Sequence, residues 1–219
     1  MKTSFQVTPE ITARPKKYPG TTRLWHWLNL LVICGSLGTV LANALLFDHQ
    51  QRDFIRSELS AAALVTAHQA GAVIHGMEDQ VWGIHTYFGY GLSLLLLFRL
   101  IAEFFIPPYM RLLPKFKKAC QSYYALKKHR DQAGHDLIVK SLYLVFYILL
   151  SIMAISGLLL AFEDQTGFSS EINHSIKEFH GFCMYLIIVF IVLHIAGVVL
   201  AERKAGKGIV SDMINGGTS

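Results

Sequence analysis

Four histidines inside apolar segments carry the chemistry this chain could do. His180 and His194 stand in the stretch EFHGFCMYLIIVFIVLHIAGVVLAE, residues 178–202, which is long enough to cross a bilayer as one helix. They lie 14 residues apart. At about 100° and about 1.5 Å per residue, that spacing returns to within about 40° of one direction and separates the rings by about 21 Å. Ionisable side chains at such depth are costly, and they usually serve a function. Two imidazoles on one stripe, one near each side of the hydrocarbon core, point to two stacked metal centres, with haem the first candidate. His26, in TTRLWHWL, opens the first apolar segment, and His85, in VWGIHTYFGY, opens the second. Depth pairs His26 with His194 and His85 with His180. Facing side chains in a bundle core form a recognised cofactor site. Zinc takes four tight nitrogen or sulfur ligands per centre, whereas each level here supplies two, the number of axial nitrogens a haem requires. Trp25 and Trp27 beside His26 also fit an interfacial aromatic belt, in which that histidine would be structural.

The elements that must position these residues are four apolar blocks, at 24–46, 81–106, 137–162 and 179–201. Each is near the length needed to span the hydrocarbon core. With 53% hydrophobic residues and a mean hydropathy of +0.39, the expected fold is all-α, an integral membrane four-helix bundle over residues 21–203. An arm (1–20) and a tail (204–219) flank it. The arm, the central loop with its flanks, and the tail hold 17 of the 20 Lys and Arg residues. By the positive-inside rule, both termini and the central loop are expected in the cytoplasm. The net charge of +5 therefore reads as topology, and nothing resembles a nucleic-acid module. Cys34, Cys120 and Cys183 form no disulfide framework and no C-x-x-C-H haem attachment. The polar first 23 residues, with Pro9, Pro15 and Pro19, are unlike a cleavable signal peptide, so the first helix itself is expected to direct insertion.

Along the chain, the loop 47–80 is unusually long, and its apolar middle, 58–76, is expected to be an extra amphipathic helix at the outer surface or capping the bundle. His68 and His75 there could share a face or simply be exposed. Gly89 lies one turn beyond His85 and leaves space for a flat macrocycle or for close helix packing. Arg99 closes the second span, where it could pair with a haem propionate or lipid phosphate, or snorkel to the lipid surface. The basic loop 107–136 reads as a solvated, lipid-facing surface. Ser156-Gly157 is a packing notch, His174 an exposed loop residue, and the glycine-rich tail a flexible segment.

Taken together, Arg23-x-Trp25-His26-Trp27, His85-x-x-x-Gly89 with Arg99, Ser156-Gly157-Leu158, and His180 with His194 resemble the bacterial di-haem cytochrome b family. It includes cytochrome b561-type proteins and the membrane subunits of nickel–iron hydrogenases, formate dehydrogenases and thiosulfate reductases. The resemblance covers all four spans, and its most specific element is the pair of histidines 14 apart in the last. It implies two haem b groups, an inner one on His26 and His194 and an outer one on His85 and His180, in agreement with the pairing by depth. Gln132-Ala133-Gly134-His135 is similar to the family's motif before the third helix. That similarity implies quinone contacts at Gln132, Gly134 and His135, although the same residues also suit an ordinary helix start. Two departures stand out: Gly38-Thr39 and Asn43 where the family often has Thr-Gly, and the long outer loop.

The expected function is a b-type cytochrome of the bacterial inner membrane. It would pass electrons between the quinone pool and a redox partner protein outside the membrane. Membrane lipid is its other neighbour. Bis-histidine iron has no open position, which favours electron transfer over substrate chemistry. Two other classes fit less of the pattern. One is a haem-bearing anchor subunit of a larger oxidoreductase without activity of its own. The other is a haem-free transporter or scaffold, which leaves the paired histidines unexplained.

Overall fold

The computed structural model describes residues 19–62, 66–105, 107, 111–125, 130–204 and 208–216. All regular structure among them is helical. Four helices have the length and composition to cross a membrane: α1 (Gly20–Leu46), α3 (Ala67–Phe105), α5 (Arg130–Ala161) and α7 (Ser170–Lys204). Four shorter helices complete the set: α2 (His49–Ala61), α4 (Leu112–Ala125), α6 (Glu163–Thr166) and α8 (Ile209–Asn215). The expected all-α, four-span architecture is present.

Each long helix turns its large apolar side chains outward. Leu31 is 67% exposed, Leu94 68%, Ile155 59% and Val192 61%. In water such a surface would be a liability, but in lipid it is the ordinary outer face of a bundle. The buried positions include small and polar residues beside a few large apolar ones such as Leu96, Leu150 and Ile187. The buried residues of α1 are Asn29, Thr39 and Asn43, an inversion of the soluble-helix pattern. Polar side chains on that face are kept from lipid, and Thr39 bonds to the Ser36 carbonyl and to His85.

Backbone proximity divides the chain into two compact units, Met1–Trp27 with Val192–Ser219 and Leu28–Ile191. The second unit holds most of the four long helices, and its contacts run round the bundle. The ring of Phe88 on α3 lies against Gly35 on α1, where any side chain would collide with it. Arg99 on α3 donates from Nε to the hydroxyl oxygen of Tyr147 on α5, 2.9 Å away. Phe146 on α5 stacks on Phe190 of α7, with ring centroids 4.8 Å apart. Leu150, Ala154, Cys183 and Ile187 are buried between them.

The connections differ from expectation in three places. The extra helix of the long loop is α2, which ends at Ala61, and the residues from Ala67 on form the first turns of the 39-residue α3. The predicted helix over 58–76 is therefore split. A capping box marks the new start: the Thr66 hydroxyl accepts from the Gln69 amide, and the Gln69 side-chain oxygen accepts from the Thr66 amide. Second, the basic loop contains α4, which packs on α5. Pro114 falls in its first turn, where a missing amide hydrogen costs nothing. Third, part of the tail forms α8 and makes specific contacts, so residues 208–216 are not the flexible segment that their glycines imply.

In the second unit α2 folds back on α3. Asp48 caps its start by accepting from the Gln51 amide. Arg52 donates to the Phe47 carbonyl and to Glu78 at 2.8 Å. Arg52→Ala is expected to destabilise α2 locally by about 1 kcal/mol, since the ion pair is part-exposed and the carbonyl bond is lost with it. Hydrogen–deuterium exchange should show faster exchange in 49–61 and unchanged protection in the four spans.

Candidate metal centres

In the second unit, His85 on α3 faces His180 on α7. Their ring centroids are 6.4 Å apart and their planes are nearly perpendicular, at 83°. Each Nδ1 is held from a neighbouring helix. The Thr39 hydroxyl gives its single proton to the Ser36 carbonyl, 2.6 Å away, so toward His85 Nδ1 at 2.9 Å its oxygen can only accept. The Ser36 carbonyl oxygen also lies 3.3 Å from that nitrogen. On the opposite side, Ser156 gives its proton to the Ile152 carbonyl at 2.7 Å and accepts from His180 Nδ1 at 2.8 Å. Both imidazoles are thus held as the Nδ1–H tautomer, which leaves the Nε2 lone pair for a metal.

Space has been left beside this pair. A Cβ added at Gly157 would come within 3.2 Å of His180 Cε1, so only glycine lets that ring lie where it does without a shift. Side chains added at Gly89 or Gly181 would meet nothing within 4 Å. Both glycines border a cavity of about 440 Å³ that also contains Trp82, His85 and His180, with Glu163 and Lys177 on its lining. That volume lies within the usual range for ligand and cofactor pockets.

In the first unit, His26 on α1 and His194 on α7 have centroids 6.3 Å apart and planes tilted by 52°. The Trp27 indole meets His26 edge-on, with centroids 5.3 Å apart. His26 Nδ1 is buried without a hydrogen-bond partner, unlike its counterparts in the second unit.

A model of the family described as prokaryotic cytochrome b561 matches residues 17–216. The chain belongs to that family. Comparison with the curated proteins and with the solved structures gave no significant match. Membership makes this a bacterial multi-pass membrane protein, a b-type cytochrome of electron transfer, and implies that it binds haem b.

The residues present fit the haem that cytochrome b561 membership implies. Metal–imidazole bonds of about 2.0 Å on each side would set two ring centroids about 6.3 Å apart, and the two pairs stand at 6.3 and 6.4 Å. Among the described residues, no three His, Cys, Asp or Glu side chains gather as a metal-binding group. Two axial imidazoles need no third protein ligand.

The other predicted site residues of this cytochrome are placed as follows. Arg99 is engaged by Tyr147 and by Glu103, at 3.5 Å. The Tyr123 ring covers Gly134, 3.4 Å from where a Cβ would stand. His135 is exposed, the adjacent Asp136 pairs with Lys140, and the side chain of Gln132 lies outside the described residues. His75 and His174 each face a nearby glutamate, and His68 is exposed. Sequence reading assigned no site role to Ser36, Thr39 or Trp82, and took Ser156 as part of a packing notch and of the family resemblance. A usable signal was present. Hydroxyl residues at 36, 39 and 156 in otherwise apolar spans need a buried partner, and histidine nitrogens are the natural ones.

A haem held by the His85/His180 pair would be lost in Gly157→Val, because the new side chain would crowd the His180 ring. Ser156→Ala should retain haem but weaken its binding by about 10- to 100-fold. It should also raise the midpoint potential of that centre, since the lost Nδ1 acceptor makes the ligand less basic. Haem content and potentiometric titration of the two variants check both outcomes.

Proposed function

We propose that this chain is a di-haem cytochrome carrying electrons across the bacterial inner membrane. His26 and His194 would hold the haem on the cytoplasmic side, and His85 and His180 the one on the outer side. The observation that carries the reading is the repeated geometry: two facing imidazole pairs, each at the separation one metal atom requires. When bound, each haem supplies a one-electron iron couple. The protein's part would be to present two neutral imidazoles per centre to hold the iron. In the second pair, the Thr39 and Ser156 oxygens hold the Nδ1 protons and strengthen the ligands. The spacing of 14 residues on the single helix Ser170–Lys204 corresponds to about 21 Å of axial rise. The distribution of basic residues supports cytoplasmic termini in this reading.

The partners in this reading are the quinone pool and a redox protein outside the membrane, with Gly134, His135 and Gln132 as quinone contacts at the start of α5. Purified protein should contain two haem b groups by pyridine haemochrome, and His26→Ala and His85→Ala should each lose a different one. Absence of haem from well-folded wild type would reject the proposal. For the quinone contacts, His135→Ala is expected to slow quinol oxidation about 100-fold or more, on the scale of a lost proton-transfer group. An unchanged rate would remove His135 from the mechanism.

A further inference from the structure

We infer that α8 is a clasp that positions His26 opposite His194, so that haem loading at this pair depends on residues 208–216. The inference rests on the di-haem reading above and concerns the first unit alone. Glu202, in the last turn of α7, turns its carboxylate onto the start of α8. Its oxygens accept from the amides of Gly208 at 2.6 Å, Ile209 at 2.9 Å and Val210 at 3.4 Å. Those amides have no partner within the helix, and Gly208, the residue before it, provides no side-chain cap. Gly208 and Gly216, at φ 96° and 87°, bend the backbone through the left-handed region at both ends.

The far end of α8 returns to α1. The Ile214 carbonyl accepts from the Arg23 guanidinium at 2.9 Å, and the Met213 carbonyl from the Trp27 indole at 3.1 Å. Carbonyls in the last turn of a helix lack partners of their own, and a cation is favoured there. Gly216 lies flat on the same guanidinium, which a Cβ would approach to 3.1 Å. Trp27, oriented by this contact, packs edge-on against His26, and His26 faces His194 on α7. The loop of contacts is closed, from α7 through Glu202 and α8 to Trp27, His26 and back to α7.

The two pairs show why such a device is needed. His85 and His180 are oriented by hydroxyl oxygens on neighbouring helices, whereas the buried His26 Nδ1 has no hydrogen-bond partner. The ring packing of Trp27 stands in for the missing hydrogen bond. Arg23, Trp27 and Glu202 are thus positioning residues.

The test compares wild-type protein with Trp27→Phe, Glu202→Gln, Glu202→Ala and a chain ending at residue 207. It reads haem per chain, low-spin electron paramagnetic resonance and midpoint potentials. Expected is a graded loss of the His26/His194 haem, smallest for Glu202→Gln and largest for truncation, with the His85/His180 haem fully retained. In Trp27→Phe the remaining haem at the first pair should show altered g values while those of the second pair stay fixed. Two haems with wild-type spectra and potentials in both Trp27→Phe and Glu202→Ala would overturn the clasp, whether or not the truncated chain accumulates. A wild-type chain with a single haem would instead overturn the di-haem reading beneath it.

Discussion

An imidazole buried in a lipid-facing bundle has two nitrogens and no water to satisfy either. Burial costs free energy unless the protonated nitrogen donates to the protein and the other meets a metal or a donor. In the pair His85 and His180 that choice is made by two hydroxyl groups whose own protons are already given to backbone carbonyls of their helices. Each oxygen is thereby turned into an acceptor aimed at Nδ1. The consequences reach through the second unit. Helix α1 must approach α3 closely enough for Thr39 to reach His85. Helix α5 must carry Ser156 next to a glycine, because any larger residue at 157 would push His180 out of line.

The same requirement explains why the polar residues face inward. In a soluble bundle the buried face of α1 would be leucine and isoleucine. Here it holds Asn29, Thr39 and Asn43, while the leucines face outward. Lipid satisfies the apolar surface without any packing partner, so polar groups that lipid cannot solvate are taken inside the bundle. Close approach is then obtained with glycine, as where Phe88 lies on Gly35, and with paired aromatic rings such as Phe146 and Phe190.

The two histidine pairs share a separation and differ in their support. One is braced by hydrogen bonds from neighbouring membrane helices. The other is braced by an indole whose own N–H is held by the backbone of a short C-terminal helix. Membership of the prokaryotic cytochrome b561 family implies haem b, and in the proposed di-haem reading each pair would hold one. What distinguishes them is the way the rings are oriented, and in the di-haem reading different supports would give the protein a means to set two centres apart in affinity and potential.

Much of this was legible in the residues alone. The four spans, the four histidines in the spans and their pairing by depth all follow from hydropathy and helical period, which act along a single helix and need no neighbour. The space at Gly89 was readable for the same reason, one turn from His85. The break between α2 and α3 was also written in the chain, as the capping box from Thr66 to Gln69, but the apolar run around it hid the signal. Other features had no local trace. That Thr39 and Ser36 serve a histidine 46 and 49 residues away, and that Glu202 caps a helix whose carbonyls hold Arg23 and Trp27, depends on which helices become neighbours. Periodicity can say which face a side chain leaves from. Only the tertiary structure decides what it meets, because a hydrogen bond is made or lost within a few tenths of an ångström, a distance that the packing of separate helices determines.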